Sequence, residues 1–161
     1  MKSGVEKVQS RMGDVVKAVD LATRSQVLVG VPSTTAGNRD GPINNAALAY
    51  IHDNGSPEAN IPARPFMHPG IDDITPEIKE RVKNIGKAAI KGRADAVDKG
   101  LNALGMVAAS SIKNRINSNT PPPLAESTLA KRRARGVTRT NTLVDTGPMR
   151  NSITYVIRGT K

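Results

Sequence analysis

The two histidines are the side chains best suited to acid–base or metal chemistry. His52 and His68 stand sixteen residues apart, on different kinds of predicted element. A shared metal ion would need further ligands, which the surrounding spacing does not supply. Asp72 and Asp73 are adjacent, and an extended chain would point them to opposite sides, which does not suit paired acid and base catalysis. We therefore interpret both histidines as ordinary surface or loop residues.

Motifs for nucleotide or covalent chemistry are also missing from the sequence. It contains no phosphate loop, no GxGxxG and no nucleophile elbow. It has no cysteine, which removes thiolate zinc sites, cysteine nucleophiles and disulfides. The sequence therefore predicts a protein that is not an enzyme and that uses no cofactor and no metal.

Positive charge is concentrated in the last third of the chain. Residues 1–112 contain 14 basic and 12 acidic side chains, whereas residues 113–161 contain 10 and 2, so the second stretch contributes +8 of the net +10. Its dense basic run has a loop-like composition and consists of Lys131, Arg132, Arg133, Arg135 and Arg139. Such a run is typical of a solvated loop or of an anchor for an acidic protein surface. It would also suit a channel through which DNA passes, because sequence-independent phosphate contacts need little more.

The first elements that position these residues are a helix, a strand and a second helix. An amphipathic helix is predicted over residues 5–21. Its apolar stripe consists of Val5, Val8, Met12, Val15 and Val19. Gln26–Val31 is rich in β-branched residues and predicts a strand, and residues 33–42 predict a mobile, exposed loop. A short helix over Ile43–His52 is expected to end near Gly55.

A longer helical region follows, with Thr75 as its predicted N-cap and with a proline and an acid in its first turn. Its apolar stripe consists of Ile78, Val82, Ile85, Ala89, Ala94, Val97, Leu101, Leu104, Ala108, Ile112 and Ile116. The stripe changes phase near Gly92, which predicts either one kinked helix or two helices that meet at Lys91–Ala94 and end before Thr120. The glycines at positions 86, 92, 100 and 105 lower helix propensity, so they predict close packing. Glu126–Arg133 predicts one further helical turn.

Two segments about eighty residues apart are the most informative. Asn60–Ile71 contains three prolines, which fix φ and favour extended geometry at the preceding residues, so it predicts a stiff arm. Phe66, the only phenylalanine, is expected to fill a pocket in this subunit or in a neighbour. Thr142–Ile157 predicts a strand end, a turn at Asp145–Pro148 capped by Thr146, and a second strand.

Length and composition favour one domain over residues 1–161, with mobile loops near 33–42 and 131–141. Only three residues are aromatic: Tyr50, Phe66 and Tyr155. The core must therefore be aliphatic and thin for its length, which favours stabilisation by oligomer contacts. No apolar run reaches the ~20 residues that a membrane span needs, and the amino terminus lacks the apolar stretch of a signal peptide. We therefore expect an origin in the cytoplasm.

Four segments, taken in order, resemble a known family. They are AALAYIHDNGS at Ala46–Ser56, IPARPFM at Ile61–Met67, PLAESTLAKRRARG at Pro123–Gly136 and LVDTGPMRNSITY at Leu143–Tyr155. The set is similar to the tail-completion and virion-morphogenesis proteins of tailed bacteriophages, the neck proteins of Mu-like and related particles. The resemblance covers most of residues 46–155, and the long middle helix matches in type rather than in sequence. The chain departs from the family pattern at Asp53, displaced by one place, and at Pro148, where a longer aliphatic or polar residue is commoner.

The resemblance implies a structural virion protein of the neck, which joins head to tail and completes tail attachment. Its subunits would form a homo-oligomeric ring, expected to be hexameric to match tail symmetry. The ring would contact a head-closure or adaptor protein on one face and a tail terminator or tube protein on the other. Non-specific contact with packaged DNA is expected, and contact with a membrane is not. The protein would be assembled in the host cytoplasm and would lie in the neck or tail region of the virion.

The expected fold is α+β, with a small mixed or antiparallel sheet packed on a long central helix, and with an extended arm and loops. The strands would come from Gln26–Val31, the region around Leu143, and Ser152–Ile157. The expected inter-subunit or inter-ring contact consists of Ile61, Pro62, Arg64, Pro65, Phe66 and Met67. The basic loop facing the DNA channel or an acidic partner consists of Lys131, Arg132, Arg133, Arg135 and Arg139. The turn and contact motif consists of Asp145, Thr146, Gly147, Arg150 and Ser152.

The alternative is a basic nucleic-acid-binding protein that acts on DNA or RNA without catalysis. A net charge of +10 and a pI near 10.3 favour it. However, no aromatic residues are interleaved with the basic run, as single-strand binders usually require, and no zinc finger or helix-turn-helix spacing is present. This alternative also leaves the rigid Ile61–Met67 arm unexplained.

Overall fold

The computed structural model describes residues 3–32 and 43–159, with the backbone alone for residues 3–10. The described part has a mixed α+β fold with seven helices and one two-stranded antiparallel sheet, which confirms the predicted class and its long central helix. In chain order the elements are α1 (Ser3–Arg24), β1 (Ser25–Gly30), α2 (Asn45–Asn54), α3 (Met67–Asp72), α4 (Thr75–Ile90), α5 (Ala94–Asn117), α6 (Glu126–Ala134), α7 (Pro148–Asn151) and β2 (Thr154–Gly159). The loop predicted over residues 33–42 lies outside the described residues. No described helix combines the length and apolar character needed to cross a bilayer.

The chain divides into two compact units, each assembled from separate stretches. Unit 1 consists of Met1–Leu28, Ile74–Val107 and Tyr155–Lys161, and unit 2 consists of Val29–Asp73 and Ala108–Thr154. The single domain predicted over residues 1–161 stays a prediction.

Unit 1 is built on the packing of α1 against α4. Its buried core consists of Ala18, Ile85, Ala89, Val97 and Leu101. The predicted stripe of α1 is wrong at Met12 and Val19, which are exposed, because the helix turns the adjacent face with Ala18 inward. Two apolar faces lie side by side on this helix, and periodicity alone did not show which one is buried.

The long helical region consists of two helices, α4 and α5, as the second of the two predicted alternatives required. Gly92 lies between them with φ of +70°, a left-handed conformation that glycine adopts without strain. A Cβ atom at Gly100 would lie 2.6 Å from Ile85 Cγ1, so this glycine permits close helix packing as predicted. At Gly86 nothing lies within 4 Å of such an atom, and the packing prediction is wrong there.

The sheet pairs β1 with β2, which lie close to the strands predicted over Gln26–Val31 and Ser152–Ile157. The strand predicted around Leu143 is wrong, because Leu143 and Val144 are buried in irregular backbone. The Val144 carbonyl accepts a hydrogen bond from Arg132 Nη1 at 3.2 Å, so a side chain satisfies the group that a neighbouring strand would have paired. A short apolar run predicts burial more reliably than it predicts strand pairing.

Unit 2 has its own core around the second half of α5. The core's buried residues are Ala49, Phe66, Ala109, Ile112, Ile116, Leu143, Val144, Met149 and Ile153. Gly70 of α3 approaches α5 so closely that a Cβ atom there would lie 2.8 Å from Ile112 Cα. The Gly70 carbonyl accepts a hydrogen bond from Ser111 Oγ at 2.6 Å, which fixes α3 on α5. The extended arm predicted to reach Ile71 therefore ends earlier, because α3 begins at Met67.

Candidate functional site

Unit 2 contains a cavity of about 910 Å³ that lies among the four segments carrying the resemblance. Its wall includes His52 from the first segment, Arg64 from the second, Arg132 from the third and Asp145 from the fourth. The folded chain thus brings together residues that are widely separated in sequence. We take this cavity as the candidate functional site.

Arg64 is buried in the wall and binds backbone. Its Nε donates to the Pro122 carbonyl at 2.8 Å and its Nη2 donates to the Pro123 carbonyl at 3.1 Å. Burial lowers the pKa of Arg64, and the nearby positive charge of Arg132 lowers it further. These bonds join two stretches of the same unit, and the contact predicted for Arg64 across a subunit boundary stays a prediction.

Arg132 is the centre of a second set of internal bonds. Its Nη1 donates to the carbonyls of Arg139, Asn141 and Val144 at 3.1, 2.8 and 3.2 Å, and its Nε lies 3.7 Å from Asp145 Oδ1. Only 5% of Arg132 is exposed. Its predicted place in a solvated basic loop is therefore wrong, because the guanidinium organises the backbone that follows α6.

The other four residues of the basic run are exposed. Lys131 and Arg133 lie on α6, which confirms the helical turn predicted over Glu126–Arg133 and delays the start of the loop predicted near 131–141, while Arg135 and Arg139 follow the helix. Arg133 Nη2 pairs with Glu126 Oε1 at 2.7 Å and Arg135 Nη2 with Asp145 Oδ2 at 3.0 Å. The run is thus one buried structural arginine and four surface cations.

Phe66 is completely buried in the core of unit 2. The ring therefore fills a pocket within its own subunit, which is one of the two sequence alternatives. The inter-subunit contact predicted for the segment stays a prediction. Pro62 and Pro65 remain exposed, while Ile61 and Met67 are half-buried. The segment therefore exposes Pro62 and Pro65 to solvent and buries its aromatic ring in the core.

Asp53 has a structural role at the site that the sequence did not predict. Its Oδ1 accepts hydrogen bonds from the backbone N–H groups of Phe66 at 2.8 Å and Met67 at 3.0 Å. An acidic residue just before Gly55, where α2 ends, was the available signal, but nothing local indicates that its partners lie thirteen residues away.

The turn motif forms the start of α7. Gly147 is the N-cap, with φ of +100°, and no side chain caps the helix, so the cap predicted at Thr146 is wrong. Arg150 Nη1 donates to Asn117 Oδ1 at 3.0 Å, and Ser152 Oγ donates to the Met149 carbonyl at 2.7 Å. Both side chains serve contacts within unit 2.

The two histidines lie in different settings. His52 is half-buried on the cavity wall, and its carbonyl accepts the N–H of Arg64 at 2.8 Å, whereas His68 is exposed on α3. The described part of the chain contains no group of three or more histidine, cysteine or carboxylate side chains that could hold a metal ion.

Comparison with protein-family models, with curated proteins and with solved structures finds no match for this chain.

Proposed function

We propose that this protein is a structural component of the neck of a tailed bacteriophage, where its subunits form a ring that joins head to tail and completes tail attachment. The observation that carries the proposal is the convergence of the four resembling segments on one cavity of unit 2. If the segments served unrelated local purposes, nothing would require them to meet. Their convergence supports the proposal that the four segments together form one functional surface.

The wall of the cavity suits a structural role. Arg64 and Arg132 direct their N–H donors to backbone carbonyls in the stretches 122–123 and 139–144. Each guanidinium fixes irregular backbone that has no ladder of its own. The result is a preformed surface, which lowers the ordering cost of binding a partner.

Self-association is supported by an exposed apolar stripe on α1. Met12, Val16 and Val19 are 62%, 60% and 37% exposed, and their spacings of four and three place them on one face of the helix. An interface between subunits would remove such a stripe from water, which is favourable for apolar side chains. We assign the stripe to the contact between neighbouring subunits, in a ring that the resemblance implies is hexameric.

Light scattering on the purified full-length chain tests the ring. A mass six times that of the subunit, insensitive to salt, is expected, and Val16→Glu should lower it by burying a charge in the contact. Ala130→Glu, an exposed change on α6, is the matched control and should leave the mass unchanged. Equal masses for both variants would contradict the assignment of the stripe.

The proposal implies that a phage genome encodes this chain, and that phage would provide the decisive test. Immunogold label is expected at the joint between head and tail, and deletion of the gene should leave unjoined heads and tails. Label elsewhere in the particle, or normal virions from the deletion, would overturn the neck proposal.

Nucleic-acid binding is the second candidate, favoured by the exposed cations on and after α6. A short DNA duplex added in the light-scattering experiment distinguishes the two. A complex that weakens steeply as salt rises would indicate phosphate contacts and support DNA binding. Indifference to the duplex would support the neck function.

A further inference from the structure

We propose that the cavity of unit 2 binds an acidic peptide segment of a partner protein, with apolar side chains flanking the carboxylates. The charged residues of the wall are three arginines, Arg64, Arg132 and Arg135, and one carboxylate, Asp145. The inference rests on the proposed function, which implies that a partner protein exists. The chemistry of the bound segment is inferred from the cavity itself.

The two buried arginines create positive charge that the wall does not balance. Arg64 donates to carbonyls, and the lowering of its pKa expresses the cost of keeping a charged guanidinium away from water and near Arg132. Asp145 faces both Arg132 and Arg135, so one negative charge serves two partners. Because a cleft lined by an excess of one sign of charge focuses its field and attracts ions of the opposite sign, the excess positive charge favours an anionic occupant.

Arg135 is the group best placed to bind that anion directly. Its side chain is 56% exposed, and it donates to Asp145 Oδ2 at 3.0 Å and to the Lys131 carbonyl at 3.4 Å. A guanidinium has five N–H donors in a planar fork, which matches the two oxygens of a carboxylate. Arg135 can therefore donate to Asp145 and still donate to a second carboxylate.

The walls favour a peptide over nucleic acid. Leu48, Leu124, Leu143 and Met149 contribute apolar surface beside the arginines. A volume of about 910 Å³ lies within the ~300–1,000 Å³ typical of ligand pockets. Carboxylate side chains on a short segment can enter such a space, whereas the phosphates of a duplex lie on a wide cylinder and would contact exposed cations first.

Panning a random heptapeptide library against the immobilised full-length protein tests the proposal. Enrichment of Asp and Glu with Leu, Ile or Val over the unselected library is expected. The leading peptide, labelled with fluorescein, should lose about tenfold in affinity on Arg135→Gln, the equivalent of one charge-assisted contact.

Two tryptophan variants locate the binding. Ala125→Trp places a bulky side chain on the exposed edge of the cavity wall and should abolish peptide binding, while Ala130→Trp, exposed on α6 but outside the wall, should not. Ala63→Trp repeats the block from another exposed wall position if Ala125→Trp proves unfolded by thermal melting.

Three results would overturn the proposal: no enriched peptide, enriched peptides without an acidic bias, or equal affinity of the two tryptophan variants. A short DNA duplex whose binding is lost in Ala125→Trp would assign the cavity to nucleic acid instead. Immunogold labelling separates this inference from the neck function. Label at the neck without an acidic peptide rejects the cavity proposal alone, whereas a cavity-bound acidic peptide without neck label rejects the neck function and retains the site.

Discussion

Asp53 fixes the backbone of Phe66 from a different segment of the chain. Asp53 Oδ1 accepts the N–H of Phe66 at 2.8 Å and that of Met67 at 3.0 Å, at the point where the extended stretch enters α3. The first N–H groups of a helix have no partner within it, and Phe66, the N-cap, has no capping side chain of its own. Asp53 thus supplies the missing cap and helps to hold the Phe66 ring in the core.

Replacement of Asp53 tests this remote cap. Asp53→Ala should lower the free energy of unfolding by roughly 1.5–3 kcal/mol, the usual worth of hydrogen bonds to a charged group. Asp53→Asn should cost less because the amide retains an acceptor oxygen. Denaturant midpoints give both values, and Asp72→Ala, an exposed acid on α3, should stay within about 0.5 kcal/mol of the parent. A similar loss in all three variants would show that Asp53 acts through general charge and not as a cap.

Phe66 should behave as a core residue. Phe66→Ala is expected to destabilise the chain by about 3–5 kcal/mol, because it removes a fully buried ring and leaves a cavity. Tyr50→Ala is the control, since that ring is 70% exposed and its loss should be nearly neutral. An unchanged unfolding midpoint combined with lost oligomerisation would instead support the inter-subunit role.

Arg132 should be more important to stability than its neighbour Arg133. Arg132→Met leaves three backbone carbonyls without their donor, whereas Asp145 keeps Arg135, so the expected loss is about 1–3 kcal/mol, the cost of leaving buried acceptors unsatisfied. Arg132→Lys should be intermediate, because an ammonium cannot reproduce the planar fork.

Arg133→Met serves as the matched control for Arg132→Met. Arg133 forms one exposed pair with Glu126, and such pairs contribute at most about 1 kcal/mol. Chemical denaturation of the three variants gives the comparison. Equal midpoints for the two methionine variants would mean that the buried guanidinium does not organise the backbone after α6.

The helices that the sequence predicted well are those whose burial repeats locally. Val97, Leu101, Ala108, Ile112 and Ile116 lie on one stripe of α5 and are all buried as expected. A stripe of this kind is visible within a short window, because residues three and four apart share a face. The same reasoning gave the class of fold and the break before Ala94.

The wall of the cavity could not be predicted in this way. The carbonyl partners of Arg64 lie 58 and 59 residues away along the chain, and an isolated arginine among prolines gives no signal of them. Arg132 stands in a run of cations that composition alone assigns to solvent. A charged residue is usually exposed, and it is buried only where the folded chain supplies partners for it. The sequence alone does not reveal those partners, so it predicts exposure for Arg64 and Arg132 alike.

The approach of β2 to α5 gives a prediction based on two glycines. A Cβ atom at Gly105 would fall inside contact distance of the Tyr155 ring, whose hydroxyl is 3.0 Å from Asn102 Oδ1. Gly105→Ala should therefore cost about 1–3 kcal/mol by overpacking, although alanine is the better helix former. Gly86→Ala, in α4 with nothing within 4 Å, should stabilise by about 0.5–1 kcal/mol.

A double-mutant cycle separates the clash at Gly105 from any effect on the helix itself. In a Tyr155→Leu background the ring is absent, so Gly105→Ala should lose most of its cost and approach the gain expected at Gly86. Thermal or denaturant unfolding of the single and double variants measures the coupling. An unchanged cost in the Tyr155→Leu background would place the strain elsewhere in α5, and the close approach of Tyr155 would not be the reason for glycine at this position.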